Sequence, residues 1–534
     1  MNASADYDIV FDNCTILDGT GAARRSGAVA VNGSTIAAVG EIPGSRGRTV
    51  IDLDGLVICP GFIDTHSHSD FPLLIDPAAQ SKVRQGVTTE IVGNCGFSPA
   101  PVTDLNRSDM VSTSLHLAMG ADFDWSWDSM GGYLDRLDAS GVAVNVLALV
   151  GHVPIRTAVM GYDKRYPTSG ELNEMKALLH ASLEEGAFGF STGLIFPPSS
   201  YSETDEIVEL AEVLAEFGGV YFSHIRGEGH SLLRAVAEAI EIGERAGVAV
   251  QIAHHKASGR PYWGRVRESL AMVEAAQDRG VDVTVDVYPY PAGGGSITQL
   301  VPEWAHEGGS DAILARLRDR AVRDRLEAEL RSEQREWDST YISWTASGNP
   351  DVVGKSVAQI ARRRGVPPET AAHDILIEEE LQGALIHFVM DEEDVRYVLR
   401  HPAAMIGSDG SAISPEPPLG MGRPHPRYYG AFPRVLGHYA RDENLFPLEE
   451  AVHKMTGFPA KKMGLEAKGL LEPGRDADLV VFDPDRIIDT ATFDDPHQFP
   501  EGIVHVIVGG RFVVRDGAQS KELPGRALRG PQAA

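Results

Sequence analysis

Short apolar runs alternate with amphipathic ones along this 534-residue chain, and their order predicts its architecture. Over residues 1–55, β-rich runs at 8–11, 27–33 and 36–40 are separated by turns, as in a small antiparallel sheet. The same texture returns at 477–483 and 504–514. Together the two ends predict a small β-sandwich domain built from both chain termini, residues 1–55 and 456–534. Between them, over 56–455, strand-like and helix-like segments alternate, the pattern of a parallel sheet with crossover helices. Strand candidates fall at 56–64, 87–95, 142–152, 187–192, 218–224, 248–254, 281–288 and 403–409, the count of a closed (β/α)8 barrel. Segments 231–246 and 267–278 carry apolar positions at helical spacing and stop at Gly247 and Gly280. The stretch from about 289 to 402 is too long for one crossover helix. Its charged helical segments at 311–333, 356–364 and 368–380 predict an inserted helical subdomain before the eighth strand.

In a barrel of this kind the chemistry belongs at the C-terminal strand ends. Those ends read His66 and His68, Cys95, His152, Thr192, His224, His254, Tyr288 and Asp409. Residues two apart on an extended backbone share a side, so His66 and His68 can aim both imidazoles into one cavity. Taken singly, each of these residues is more often structural, and Asp409 between Ser408 and Gly410 could simply serve a turn or a helix cap. Taken together, five strand ends offer a competent zinc ligand, which scattered core residues would not do. Of the adjacent His254 and His255 only one can face the cavity. His254 is chosen, because Lys256 then shares its face and brings a cation to the site. Cys95 follows Gly93-Asn94 and precedes Gly96, a backbone free to bring a thiolate close to a metal, whereas Cys14 and Cys59 sit in apolar runs and read as inert. His152 could equally be a substrate contact. The chemistry that needs such a set is metal-assisted hydrolysis. Zinc polarises a carbonyl and lowers the pKa of a bound water from ~15.7 toward ~7, and Asp409 serves as general acid/base.

Composition narrows the partners. The 48 Lys+Arg against 76 Asp+Glu give a formal charge of −28, which disfavours nucleic acid and anionic membranes. An anionic small-molecule substrate must then be met by locally placed cations. Three widely spaced cysteines argue against a disulfide framework. No run approaches the ~20 apolar residues of a membrane helix, and the first residues lack the segments of a signal peptide, so a cytoplasmic setting is expected.

The His66-Ser67-His68 pair, the later strand-end histidines, Asp409 and the tail Pro473-Gly474-Arg475-Asp476-Ala477-Asp478 together resemble the amidohydrolase superfamily. Within it, Gly93-Asn94-Cys95-Gly96, Ser223-His224-Ile225-Arg226, His254-His255-Lys256, Tyr288-Pro289-Tyr290 and His425-Pro426-Arg427 resemble the D-aminoacylases. The resemblance implies a TIM-like metal-dependent hydrolase barrel that deacylates N-acyl-D-amino acids. It implies one tight zinc site on Cys95, His224 and His254, and a second, weaker site on His66, His68 and Asp409, with Cys95 able to bridge. Arg427, helped by Lys256 and Tyr288, would clamp the substrate α-carboxylate, since a planar guanidinium suits a carboxylate bidentately. Most relatives bridge two metals with a carboxylated lysine from strand four, and Gly186–Thr192 offers none. That absence weighs against the alternative of a hydantoinase- or dihydroorotase-like cyclic amide hydrolase. A non-catalytic scaffold is the third possibility, and the retained ligand set weighs against it. Gly293-Gly294-Gly295-Ser296 and the long proline-rich loop between Asp409 and Arg427 depart from the family pattern and border the expected substrate pocket.

Overall fold

The computed structural model describes residues 6–42, 46–121, 123–333 and 335–530, with the side chains of 113–116 outside the description. Its centre is an eight-stranded parallel sheet. The strands are, in chain order, Phe62–Asp64, Val87–Val92, Asn145–Gly151, Gly189–Gly193, Val220–His224, Ala249–Ile252, Val283–Val287 and Ala404–Ile406. Each pairs with its sequence neighbour, the order of a singly wound, nearly closed barrel. Every residue of seven of these strands is buried, and only Ala249 is partly exposed in the other, because helices cover the outer face.

The helices end where the sequence predicts. Leu232–Ala246 buries Val236, Ala239, Ile240 and Gly243 and stops at Gly247, whose φ of 70° is the left-handed conformation that glycine adopts without penalty. Val266–Asp278 is the next crossover helix.

The apolar run before the histidine pair divides between two sheets. Val57–Pro60 pairs with Tyr7–Ile16 and with Leu479–Phe482, so it belongs to the flanking sheet, and the first barrel strand is only Phe62–Asp64. The chain changes sheets at Gly61, where a Cβ would lie 2.1 Å from Thr88 Oγ1 and only glycine fits. The flanking domain is one nine-stranded mixed sheet drawing strands from both ends of the chain, including Arg25–Asn32, Ile503–Val508 and Arg511–Arg515.

The insertion contains more than helices. Gly293–Ser296, Gly383–His387, Thr340–Thr345 and Lys355–Ser356 form a four-stranded antiparallel sheet. The charged run expected as one helix is two, Gly309–Arg318 and Arg320–Ser332, because Asp319 leaves the helical conformation and caps the second by accepting from Val322 N–H. Glu392–Arg400, inside the range read as insertion, packs on Val266–Asp278 and on the last barrel strand, and is thus the final crossover helix. Among the described residues no helix is long and apolar enough to cross a membrane.

Candidate active site

The strand ends bring His66, His68, Cys95, His224, His254 and Asp409 together at the barrel mouth. Donor atoms of His66, His68 and Cys95 lie within 4.8 Å of one another, and so do those of Cys95, His224 and His254. Cys95 is common to both triplets. Its Sγ is 3.3 Å from His66 Nε2 and 3.5 Å from His254 Nε2, and His254 Nε2 is 2.8 Å from His224 Nδ1. Asp409 Oδ1 lies 3.2 Å from His68 Nε2 and 3.6 Å from His66 Nε2. Cys95, His254 and Asp409 have φ of 54°, 34° and 49°, left-handed backbone that is strained for residues with a Cβ and concentrates at functional sites.

The electrostatics separate Cys95 from the other two cysteines. Burial opposes its ionisation, but the flanking His66, His254 and His224 hold the thiol well below its ordinary value. Burial pushes Cys14 up to about 12 and Cys59 well above the usual range, as for inert core thiols. A thiolate with imidazoles in a buried cluster is a donor set suited to zinc.

Two carboxylates that sequence reasoning missed orient these ligands. Asp286 Oδ1 is 3.1 Å from His66 Nδ1 and accepts the backbone N–H of His254 at 2.7 Å, while Oδ2 accepts from Gln251 Nε2. It thereby turns His66 Nε2 toward Cys95. A charged residue in the fully buried strand Val283–Val287 was the available signal. Glu228 Oε1 lies 3.2 Å from His254 Nδ1, 3.6 Å from His224 Nε2 and 2.6 Å from Lys256 Nζ. It sits in a loop, where no periodicity marks it.

His254 faces the cluster as expected, and His255 turns away to place Nε2 2.8 Å from Ser269 Oγ. His152 stays outside the cluster, bonded within the protein to Ser199 Oγ and Glu206 Oε1. Lys256 also approaches the Tyr288 ring at 5.6 Å, but its charge is balanced by Glu228. Arg427 opens the helix Arg427–Arg434, lies 4.7 Å over the Tyr288 ring and pairs through Nη1 with Asp409 Oδ2 at 2.8 Å. Its Nε is buried and meets no hydrogen-bond acceptor among the described residues. His425 braces it, accepting Arg427 N–H on Nδ1 and donating from Nε2 to Ala292 O. The glycine strand Gly293–Ser296 runs beside these groups. A Cβ on Gly293 would lie 3.3 Å from the Tyr288 hydroxyl and one on Gly294 3.6 Å from Arg427 Nη2.

A parallel barrel that gathers thiolate, imidazole and carboxylate donors at its mouth, with a buried guanidinium beside them, defines a barrel hydrolase. A model of the amidohydrolase family matches residues 49–514, and the chain belongs to that family. It is 38% identical over 525 residues to a D-aminoacylase of Alcaligenes xylosoxydans xylosoxydans, covering 98% of each chain. An N-acyl-D-glutamate deacylase from Bordetella bronchiseptica, solved with zinc and a phosphonate mimic of the tetrahedral intermediate, superposes with a TM-score of 0.84 at 36% identity, over 98% of this chain and 100% of that one. A D-aminoacylase structure described for its binuclear metal centre, with one-metal activation and second-metal attenuation, gives a TM-score of 0.83 at 38% identity, again over 98% of this chain and 100% of that one.

Proposed function

We propose that this protein is a zinc-dependent hydrolase that deacylates N-acyl-D-amino acids to a D-amino acid and a carboxylate. The observation that carries the reading is the shared Cys95 between two donor triplets, with Asp409 and the buried Arg427 at their edge. Cys95, His224 and His254 would hold the tighter zinc, and His66, His68 and Asp409 a weaker one. When bound, zinc there supplies Lewis-acid polarisation of the scissile carbonyl and of the attacking water.

The chain's own residues do the rest. Arg427, with its unpartnered Nε, binds the substrate α-carboxylate, with Tyr288 and Lys256 beside it. Arg427 is shared with Asp409, so an incoming carboxylate draws the guanidinium away and frees Asp409 for proton transfer. Asp409 removes a proton from water as the water oxygen bonds to the acyl carbon. It then delivers that proton to the amide nitrogen as the C–N bond breaks. The D preference follows the relatives. The net charge of −28 weighs against nucleic acid and anionic membranes, and a small anionic substrate is met against that field by the local cations Arg427 and Lys256. Three unpaired, buried cysteines support a reducing, cytoplasmic compartment.

A panel of N-acetyl and longer N-acyl D- and L-amino acids, assayed with purified zinc-loaded protein beside hydantoins, tests the reading. Turnover confined to the D series is the expected result. An inert panel with hydantoin ring opening would replace it with the cyclic amide reading.

A further inference from the structure

Seven of the eight strand interfaces in the barrel are hydrogen-bonded ladders, and the eighth is not. Between Phe62–Asp64 and Ala404–Ile406 the described backbone makes only an isolated parallel bridge, Ser67 to Gly410. These two strands lead to His66 and His68 on one side and to Asp409 on the other. The unladdered seam therefore runs through the donor cluster, and something other than a ladder must set its width.

The short helix Gln80–Val83 delivers Lys82 into that seam. Lys82, Asp64 and Glu90 have no exposed side-chain surface. Lys82 Nζ lies 2.7 Å from Asp64 Oδ2, 2.9 Å from Ser408 Oγ, 3.1 Å from Gly410 O and 3.3 Å from Glu90 Oε2. It thus touches both sides at once. Asp64 Oδ1 accepts the backbone N–H of His66 at 3.2 Å and that of Ser408 at 2.8 Å, one from each side. Glu90 accepts from the hydroxyls of Ser67 and Ser69, and Ser69 Oγ accepts the N–H of Ala412. Directly above, Asp409 N–H donates to His66 O at 2.8 Å and His68 N–H to Gly410 O at 3.0 Å. The approach is close: a Cβ on Gly407 would lie 2.6 Å from the Cβ of His66.

Buried charge clusters of this kind are poor stabilisers, because desolvation offsets most of the attraction and apolar replacements are often neutral or better. What they provide is a defined geometry, here at the one interface whose register no ladder specifies. We propose that Lys82 is a positioning residue for the reaction, clasping Asp64 and Ser408 across the seam and so fixing the separation of His66 and His68 from Asp409. The role rests on the hydrolase reading above, and it concerns a residue that touches neither substrate nor metal.

The test compares the parent with Lys82→Met combined with Glu90→Gln, which keeps the buried net charge at one negative, and with Ser408→Ala, which removes one arm of the clasp without touching charge. Each is loaded with cobalt(II) and measured for deacylation, for cobalt affinity by its absorption bands, and for Tm. The expected result is a kcat lower by about 10- to 100-fold in the double variant, with KM nearly unchanged because Arg427 is intact, and a cobalt affinity weakened by a similar factor. Ser408→Ala should show the same split at smaller size. A role in folding alone would lower Tm and leave kcat and cobalt affinity at the parental values, and that outcome overturns the proposal. If the double variant does not fold, Ser408→Ala decides by the same criteria. If the parent itself fails to deacylate, the substrate reading falls, while the cobalt affinities still report on Lys82.

Discussion

Arg427 Nη1 lies 2.8 Å from Asp409 Oδ2 in a pair almost wholly removed from solvent. Burial opposes ionisation of Asp409, but the Arg427 guanidinium and the histidines beside it hold its carboxyl well below the usual range. The group assigned to proton transfer is thus ionised and tied to the group assigned to the substrate carboxylate. Under the proposed mechanism, substrate binding and release of the base would be one event.

From this arrangement, Arg427→Met should raise KM for N-acyl amino acids by about 10- to 100-fold, the loss of a charge-assisted contact of about 1.5–3 kcal/mol. Hydrolysis of the matching N-acyl amine, which has no carboxylate, should change little in KM. Steady-state kinetics on both substrates check the difference. Equal losses on the two would remove Arg427 from carboxylate recognition.

Glu228 makes a different claim. Burial raises the cost of its charge, yet Lys256 and the two histidines hold it ionised. A carboxylate bonded to a ligand imidazole orients the ring and raises its basicity. Glu228→Gln keeps the shape and removes the charge, leaving Lys256 2.7 Å from His254 Nδ1 without its counter-ion. Zinc affinity measured by competition with a chromophoric chelator should fall about 10- to 100-fold. An unchanged affinity would reduce Glu228 to a salt-bridge partner of Lys256.

Because Cys95 belongs to both triplets, the metal content of variants should be asymmetric. Cys95→Ala should purify with little zinc, whereas His66→Ala or His68→Ala leaves Cys95, His224 and His254 in place and should retain most of it. Elemental analysis of the purified proteins decides. Zinc-free histidine variants beside a zinc-loaded Cys95→Ala would place the tight site on the His66-Ser67-His68 pair instead.

Which of these residues the sequence could announce follows from where the signal lies. His66, His68, Cys95, His224, His254 and Asp409 were legible because strand periodicity locates C-terminal ends, and ends are where a barrel exposes side chains. His254 was separable from His255 because neighbouring residues point to opposite sides. Lys82 and Glu228 were not legible, since the partners of Lys82 lie 18 or 326 residues away and Glu228 sits in an irregular loop, while for Asp286 its charge within a buried strand was the signal, though nothing local announced His66, 220 residues away, as its partner. The division of 56–64 between two sheets was hidden for a related reason. Val57–Pro60 and Phe62–Asp64 are equally buried and read as one run, and the steric demand at Gly61 marks where they part. In the insertion Gly293–Ser296 was singled out but not read as a strand, because three glycines carry no alternation to read.

A last expectation concerns stability and lies away from the site. His373 is fully buried on Pro368–Glu378 in the insertion, neither ring nitrogen makes a well-formed hydrogen bond among the described residues, and the Leu300 backbone and Glu327 Oε1, 3.9 Å from Nδ1, are among the groups that favour its proton. Burial, only partly offset by Glu327, pushes its pKa down to about 4. The folded state therefore holds a neutral imidazole where the unfolded chain, with an ordinary value near 6.5, takes up a proton. Between about pH 6.5 and 4 the unfolded state binds more protons, so stability rises with pH across that window. The contribution is fully present above about pH 6.5 and is lost as pH falls toward 4, amounting to about 3 kcal/mol at the acid end. His373→Phe fills the same apolar site without a titratable group. Urea midpoints from pH 7 to 4.5 should fall more steeply for the parent than for the variant, with the difference confined to that window. Parallel curves would mean that His373 is protonated in the folded protein and paired with Glu327.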